Sequence, residues 1–253
     1  MCGIAGIISV NPQLVSAQQL KQMTDAIAHR GPEGDGFWFN AANTAGLGHR
    51  RLSIIDLTTA ASQPMHYRQR YSIVFNGEIY NYIELREDLM QKGYEFHSRS
   101  DTEVILAAFA CWGVQCLQKF DGMFAFAIWD EEEKKLFAAR DRFGEKPFYY
   151  RYENNALWFA SELKSFYAAG FKRDLNEKMM LLFLTHGFTD TPADASVTFD
   201  KQIKQLPPAS YLLFDGTKLA IENYWDIDDE DYLSLPEPEL IDFFFDLLQS
   251  SVE

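Results

Sequence analysis

No run of 18 or more consecutive apolar residues occurs in the chain, so the sequence holds nothing of the length a bilayer-spanning helix needs. Basic residues are scarce beside acidic ones, 23 against 37 for a net charge of -14, and that excess opposes attraction to phosphate backbones and anionic membrane surfaces. Neither nucleic acid nor membrane is expected as a partner. Cysteine is also scarce: there are three, at positions 2, 111 and 116, with no Cys-x-x-Cys pair. A disulfide framework and a zinc site are both disfavoured, and no metal is expected. Met1 leads straight into Cys2 without the basic start and apolar stretch of a secretory signal, which makes a cytoplasmic location the expectation. No internal repeat is visible.

What the chain has is core material, 47% hydrophobic and 15% aromatic residues, enough to fold. CGIAGIISV reads as a short buried strand, and Ser16 as the N-cap of a helix running to Ile27 that stops at His29-Arg30-Gly31-Pro32. Strand-like pieces follow at GFWF, LGHRRLSII and YSIVF, then a helix from Tyr82 to Gln91 ending at Gly93. Ser100 and Glu103 have capping-box spacing ahead of VILAAFACW, where Cys111 and Cys116 read as buried thiols. GMFAFAIWD, KLFAAR, PFYYRY and ALWFAS suggest four strands of an antiparallel meander. From Leu206 the composition changes: one more hairpin, the acidic linker-like stretch from Asp226 to Glu239, and an apolar segment at helical spacing, LIDFFFDLLQSSVE. Such a series is consistent with an α+β architecture of two mainly antiparallel sheets with helices outside, although periodicity does not separate this from other mixed folds.

Cys2 draws notice for its chemistry. Removal of Met1 would leave its thiol beside a free α-amine, and reference pKa values of about 7.7 to 8.0 for the amine and about 8.5 for the thiol let one take the other's proton near neutral pH. Cys2 is equally readable as a small residue opening a buried strand. Other segments bear on the choice. MCGIAGI, HRGPEGDG, GLGHRRLSIIDL, NGEIYNYIELR, SDTEVIL, DGMFAFAIWD and RDRFGEKPFYY occur in that order. Together they resemble the glutaminase domain of the glutamine-hydrolysing asparagine synthetase family, a class II glutamine amidotransferase, from Met1 to at least Trp225.

The resemblance implies a four-layer α/β/β/α sandwich, the N-terminal nucleophile hydrolase fold, and hydrolysis of L-glutamine to glutamate and ammonia through a Cys2 thioester. It makes Asn76 and Gly77 the oxyanion donors; read alone, Asn-Gly is a hairpin turn. It gives Arg51 the substrate carboxylate, a task suited to a guanidinium's paired hydrogen bonds, with Leu52, Ile54 and Ile55 lining the pocket. Asp101 takes the substrate ammonium and Glu78 lines the same pocket, whereas Asp101 alone reads as a first-turn helix acid. Arg30 and Gly31 are expected to shape the surroundings of Cys2. Two residues depart from the family pattern, Glu33 and Glu145, and both are expected to stand clear of the catalytic set.

Asparagine synthetases continue into an ATP-using domain with a Ser-Gly-Gly-x-Asp-Ser loop, which this sequence lacks. The expected division is a glutaminase domain over 1–205, a hairpin and acidic linker over 206–239, and the start of a truncated synthetase domain over 240–253. No cofactor is expected in the glutaminase domain; ATP and magnesium belong to the synthetase domain, which is the expected partner, and a homodimer stays open. Two alternatives remain: an asparagine-synthetase-like amidotransferase with another acceptor, and a non-catalytic regulatory module.

Overall fold

A computed structural model describes residues 1–191, 193–227 and 236–251. Strands β1 (Gly3–Ser9), β2 (Gly34–Phe39) and β3 (Ala45–Arg51) form one sheet with β8 (Tyr149–Glu153), β9 (Ala156–Ala160) and β10 (Lys204–Gln205), in the order β10-β8-β9-β1-β3-β2. The second sheet, in the order β12-β11-β7-β6-β5-β4, contains β4 (Met65–Tyr67), β5 (Tyr71–Ile79), β6 (Gly122–Asp130), β7 (Lys135–Arg140), β11 (Ser210–Phe214) and β12 (Leu219–Asn223). All pairings between these strands are antiparallel.

Strand alternation builds three apolar layers. On β1, Ile4 and Ile8 face the gap between the sheets while Ala5 and Ile7 face outward. On β6, Ala125, Ala127 and Trp129 share the inter-sheet layer, while Phe124, Phe126 and Ile128 face the other way. The outward faces are covered by helices: α1 (Ala17–Asp25) and α4 (Leu163–Ala168) on the first sheet, α2 (Tyr82–Gln91) and α3 (Asp101–Trp112) on the second. A sheet with both faces apolar must be covered twice, and the four-layer α/β/β/α sandwich expected from the resemblance follows. Two further helices, α5 (Glu177–His186) and α6 (Glu237–Ser250), lie later in the chain.

Several local expectations change. α1 has its Ser16 cap, accepting from Gln19 N, but ends at Asp25, with a 3-10 turn over Ala28–Arg30. The strand expected through LGHRRLSII stops at Arg51, because the Arg51 guanidinium turns back to the carbonyls of Asp56 and Thr58, at 2.6 and 2.9 Å, and folds the following residues into a loop. The capping box at α3 does not form: Ser100 accepts from Thr102 N, while the Glu103 carboxylate is taken by His97 N, Ser98 N and Ser98 Oγ. The four strands after Gly122 are not one meander. β6 and β7 stay in the second sheet, and the chain crosses to the first for β8 and β9. The hairpin that the change of composition at Leu206 marks off packs into the second sheet through β11 and β7. Cys116 is buried and Cys111 partly so, both as free thiols. Most of the acidic stretch expected to be a linker lies outside the described residues. Among the described residues no helix is long and apolar enough to cross a membrane.

Candidate active site

Cys2 stands just ahead of β1, where three contacts fix it. Arg30 Nε donates to the Cys2 carbonyl at 3.0 Å, and Arg30 Nη1 is in turn held by Glu162 at 3.0 Å. Leu52 N donates to Cys2 Sγ, and the thiol meets the Leu52 carbonyl, each at 3.4 Å. Gly31 lets this happen: a Cβ there would lie 2.3 Å from the Arg50 carbonyl carbon, so only glycine allows the helix stop to press on β3. Burial pushes the Cys2 thiol above its ordinary pKa, an effect opposed by the Leu52 hydrogen bond, the N-terminal charge and Arg51. A thiol in that state needs a base to become a nucleophile.

Asn76 lies on β5 opposite Ala125, in the sheet facing Cys2. It is 1% exposed, and neither Nδ2 nor Oδ1 has a hydrogen-bond partner among the described residues. Leaving a buried amide unpaired costs about 1 to 3 kcal/mol per group, so this side chain is prepared for something that is not protein. Gly77 beside it admits no side chain, since a Cβ would meet the Met123 carbonyl oxygen at 2.2 Å. Beneath the pair, His49 Nε2 lies 3.2 Å from the Phe75 carbonyl, and full burial lowers the imidazole to a pKa of about 4. His49 is therefore neutral at pH 7.

Asp101 opens α3 with its Oδ2 accepting from Ile79 N at 3.1 Å. Its carboxyl is raised to about 6, first by burial and further by the Glu78 charge. Two acids, Glu78 and Asp101, thus share one cavity. Arg51 stands across from them, and among the described residues it takes part in none of the arginine ion pairs.

Every residue expected in the site lines one cavity of about 100 Å³: Cys2, Arg51, Leu52, Ile54, Ile55, Asn76, Gly77, Glu78 and Asp101. Ser53, within the Leu52 to Ile55 stretch expected to line the pocket, lines it too, and so do Met1, Gln63, Thr102 and Lys146, which were not foreseen. Glu33, expected to stand clear of the catalytic set, is bonded to none of Cys2, Asn76 and Gly77 among the described residues but accepts from Ser53 N at 2.6 Å, on the pocket loop. Glu145 is exposed. The motif RDRFGEKPFYY signalled Lys146 without giving it a task.

A family model described as the glutamine amidotransferase domain matches residues 1–225. The chain belongs to the glutamine amidotransferase family. Its relatives include asparagine synthetase (glutamine-hydrolyzing) 1 of Bacillus subtilis, 42% identical over 214 residues, a match covering 83% of this chain and 33% of that protein. Another is amidase chry2 of Gibberella zeae, 34% identical over 245 residues, covering 90% of this chain and 35% of that protein. The amidotransferase domain therefore spans about a third of the length of these two relatives. Among solved structures, glutamine phosphoribosylpyrophosphate amidotransferase from B. subtilis shares the fold, with a TM-score of 0.64 at 20% identity over 89% of this chain and 50% of that one. The N-terminal nucleophile fold expected from the sequence is thus present.

Proposed function

We propose that the domain, once freed of Met1, hydrolyses L-glutamine to glutamate and ammonia through a thioester on Cys2. The observation that carries this reading is the buried, unpartnered Asn76 amide in the wall of the cavity that also holds the Cys2 thiol. An amide donor fixed in advance lowers the barrier where an oxyanion develops, and its desolvation has already been met in folding. The Cys2 α-amine takes the thiol proton, and Sγ attacks the substrate's side-chain amide carbon. Asn76 Nδ2 and the Gly77 N-H receive the negative charge on the oxygen. The resulting ammonium returns its proton to the departing nitrogen, which leaves as ammonia, and water activated by the same amine opens the thioester to give glutamate.

Arg51 grips the substrate carboxylate and Asp101 its ammonium, with Glu78 beside it and Leu52, Ile54 and Ile55 along the wall. This route draws on residues of the chain and water. In a longer parent protein the ammonia would pass to an ATP- and magnesium-dependent synthetase domain beginning near residue 240, with aspartate as the acceptor favoured by the 42% identity to an asparagine synthetase. The relative named as an amidase supports a second reading, the same glutaminase serving another acceptor. A cytoplasmic setting fits either.

Steady-state kinetics on Met1-processed protein test the assignment. Cys2→Ala is expected to abolish glutaminase activity, while Asn76→Ala lowers kcat roughly a hundredfold, the scale of one lost oxyanion donor, with little change in KM. Activity retained by Cys2→Ala, or a raised KM with normal kcat for Asn76→Ala, would contradict it.

A further inference from the structure

The loop from 141 to 148 is held with unusual thoroughness for a surface connection. Arg140 donates to the carbonyls of Lys146, Leu206 and Gly144 at 2.8, 2.7 and 2.5 Å. Asp141 accepts four backbone N-H groups, Phe143 and Glu145 on Oδ1 and Phe124 and Lys146 on Oδ2, at 2.9 to 3.1 Å. The backbone of Lys146 is thereby clamped on both sides, and its side chain enters the wall of the Cys2 cavity, with the residue only 6% exposed. Among the described residues the lysines that ion-pair are Lys21, Lys92, Lys134, Lys135, Lys164 and Lys201, and Lys146 is not one of them. Its Nζ meets Met1 Sδ at 3.4 Å, a weak acceptor. Removing Met1 takes that partner away and leaves the ammonium within one side chain's span of the new N-terminus.

We propose that Lys146 is a positioning residue acting through the α-amine of Cys2: its fixed positive charge disfavours a second one at the N-terminus and keeps the amine in the neutral form that can accept the thiol proton. The inference rests on the glutaminase reading above. The other charges around the N-terminus have partners in the working complex. Arg30, from the turn before Gly31, is paired with Glu162 ahead of α4. Arg51 on β3 meets the substrate carboxylate, and Asp101 on α3 with Glu78 on β5 meets the substrate ammonium. Arg140 and Asp141 are spent on the loop backbone. Lys146 has no carboxylate partner among the described residues, and a like charge near an amine lowers its pKa, here by about one unit.

The test uses the full chain with Met1 removal verified by mass, following kcat/KM for glutamine from pH 5.5 to 9.5. Lys146→Met should move the acid limb up by about one pH unit, a roughly tenfold loss at pH 6.5 that vanishes at pH 9, and Lys146→Arg should restore the wild-type limb. An equal loss at every pH, or limbs that coincide with wild type, overturns the inference while leaving the glutaminase reading intact. Lys146→Gln carries the same expectation should the methionine variant not fold. If both neutral variants fail to fold while Lys146→Arg folds, the cation serves the loop's stability and the inference falls. Absence of Cys2-dependent hydrolysis in processed wild type removes the underlying reading, and the inference with it.

Discussion

At Asp101, burial sets up a test of the proposed contact with the substrate ammonium. Its carboxyl, raised to about 6 by burial and by Glu78, lies above the ordinary aspartate value near 3.9. The folded chain therefore holds that proton more tightly than the unfolded one, and the stability this contributes at low pH is lost as pH rises through about 6, on the order of 2 to 3 kcal/mol. A bound ammonium reverses the balance by favouring the carboxylate. Glutamine binding to Cys2→Ala, measured by calorimetry, should weaken up to about tenfold per pH unit below pH 6 and be flat above it, while Asp101→Asn should bind weakly at every pH. Affinity unchanged between pH 5 and 7.5 would remove Asp101 from ammonium recognition. The nine residues expected from the family motifs line one cavity, although Asn76 and Asp101 read alone gave only a turn and a first-turn helix acid. The contacts of Glu33 and Lys146 were not legible in the sequence, because both reach residues distant along the chain: the Ser53 backbone for one, the Met1 side chain for the other.

At the scale of elements, local signals served well and pairings did not. The Ser16 cap and the bounds of α2 follow from turn-by-turn chemistry. That β8 and β9 leave the second sheet for the first is decided by which apolar face they find: Leu157 and Phe159 join Ile4 and Ile8 between the sheets while Trp158 packs beneath α4. No window of sequence contains both partners. Close approaches are likewise invisible until elements meet, and two glycines offer a contrast. A Cβ at Gly31 would lie 2.5 Å or less from the Arg50 carbonyl oxygen and Arg51 nitrogen, whereas one at Gly34 meets nothing within 4 Å. Gly31→Ala should cost about 1 to 3 kcal/mol in chemical denaturation, and Gly34→Ala within about 0.5 kcal/mol of zero. Equal costs would refute the view that the helix stop is pressed onto β3 to hold Cys2.

For the whole molecule, contacts near the end of β12 mark how far the sandwich extends. Tyr224 Oη donates to the Arg140 carbonyl at 3.0 Å, and the Trp225 ring packs edge-on to Phe143 with centroids 5.5 Å apart, so the chain is tied to the sandwich up to there. α6 buries none of its residues and exposes Ile241, Phe244, Phe245 and Leu248 by roughly half or more. Contiguous apolar surface of this kind marks an interaction site, which accords with the proposal that the helix belongs to a following domain. Truncation after Trp225 should leave glutaminase activity and Tm nearly unchanged and improve solubility; unfolding or loss of activity would make α6 part of this domain.

The central claim is that Cys2 is the nucleophile, and covalent trapping tests it most directly. Met1-processed protein treated with a diazo-ketone analogue of glutamine, digested and mapped by mass spectrometry should carry one adduct, on Cys2, with Cys111 and Cys116 unmodified and excess glutamine slowing the reaction. An adduct on Cys111 or Cys116 with Cys2 untouched would contradict the account.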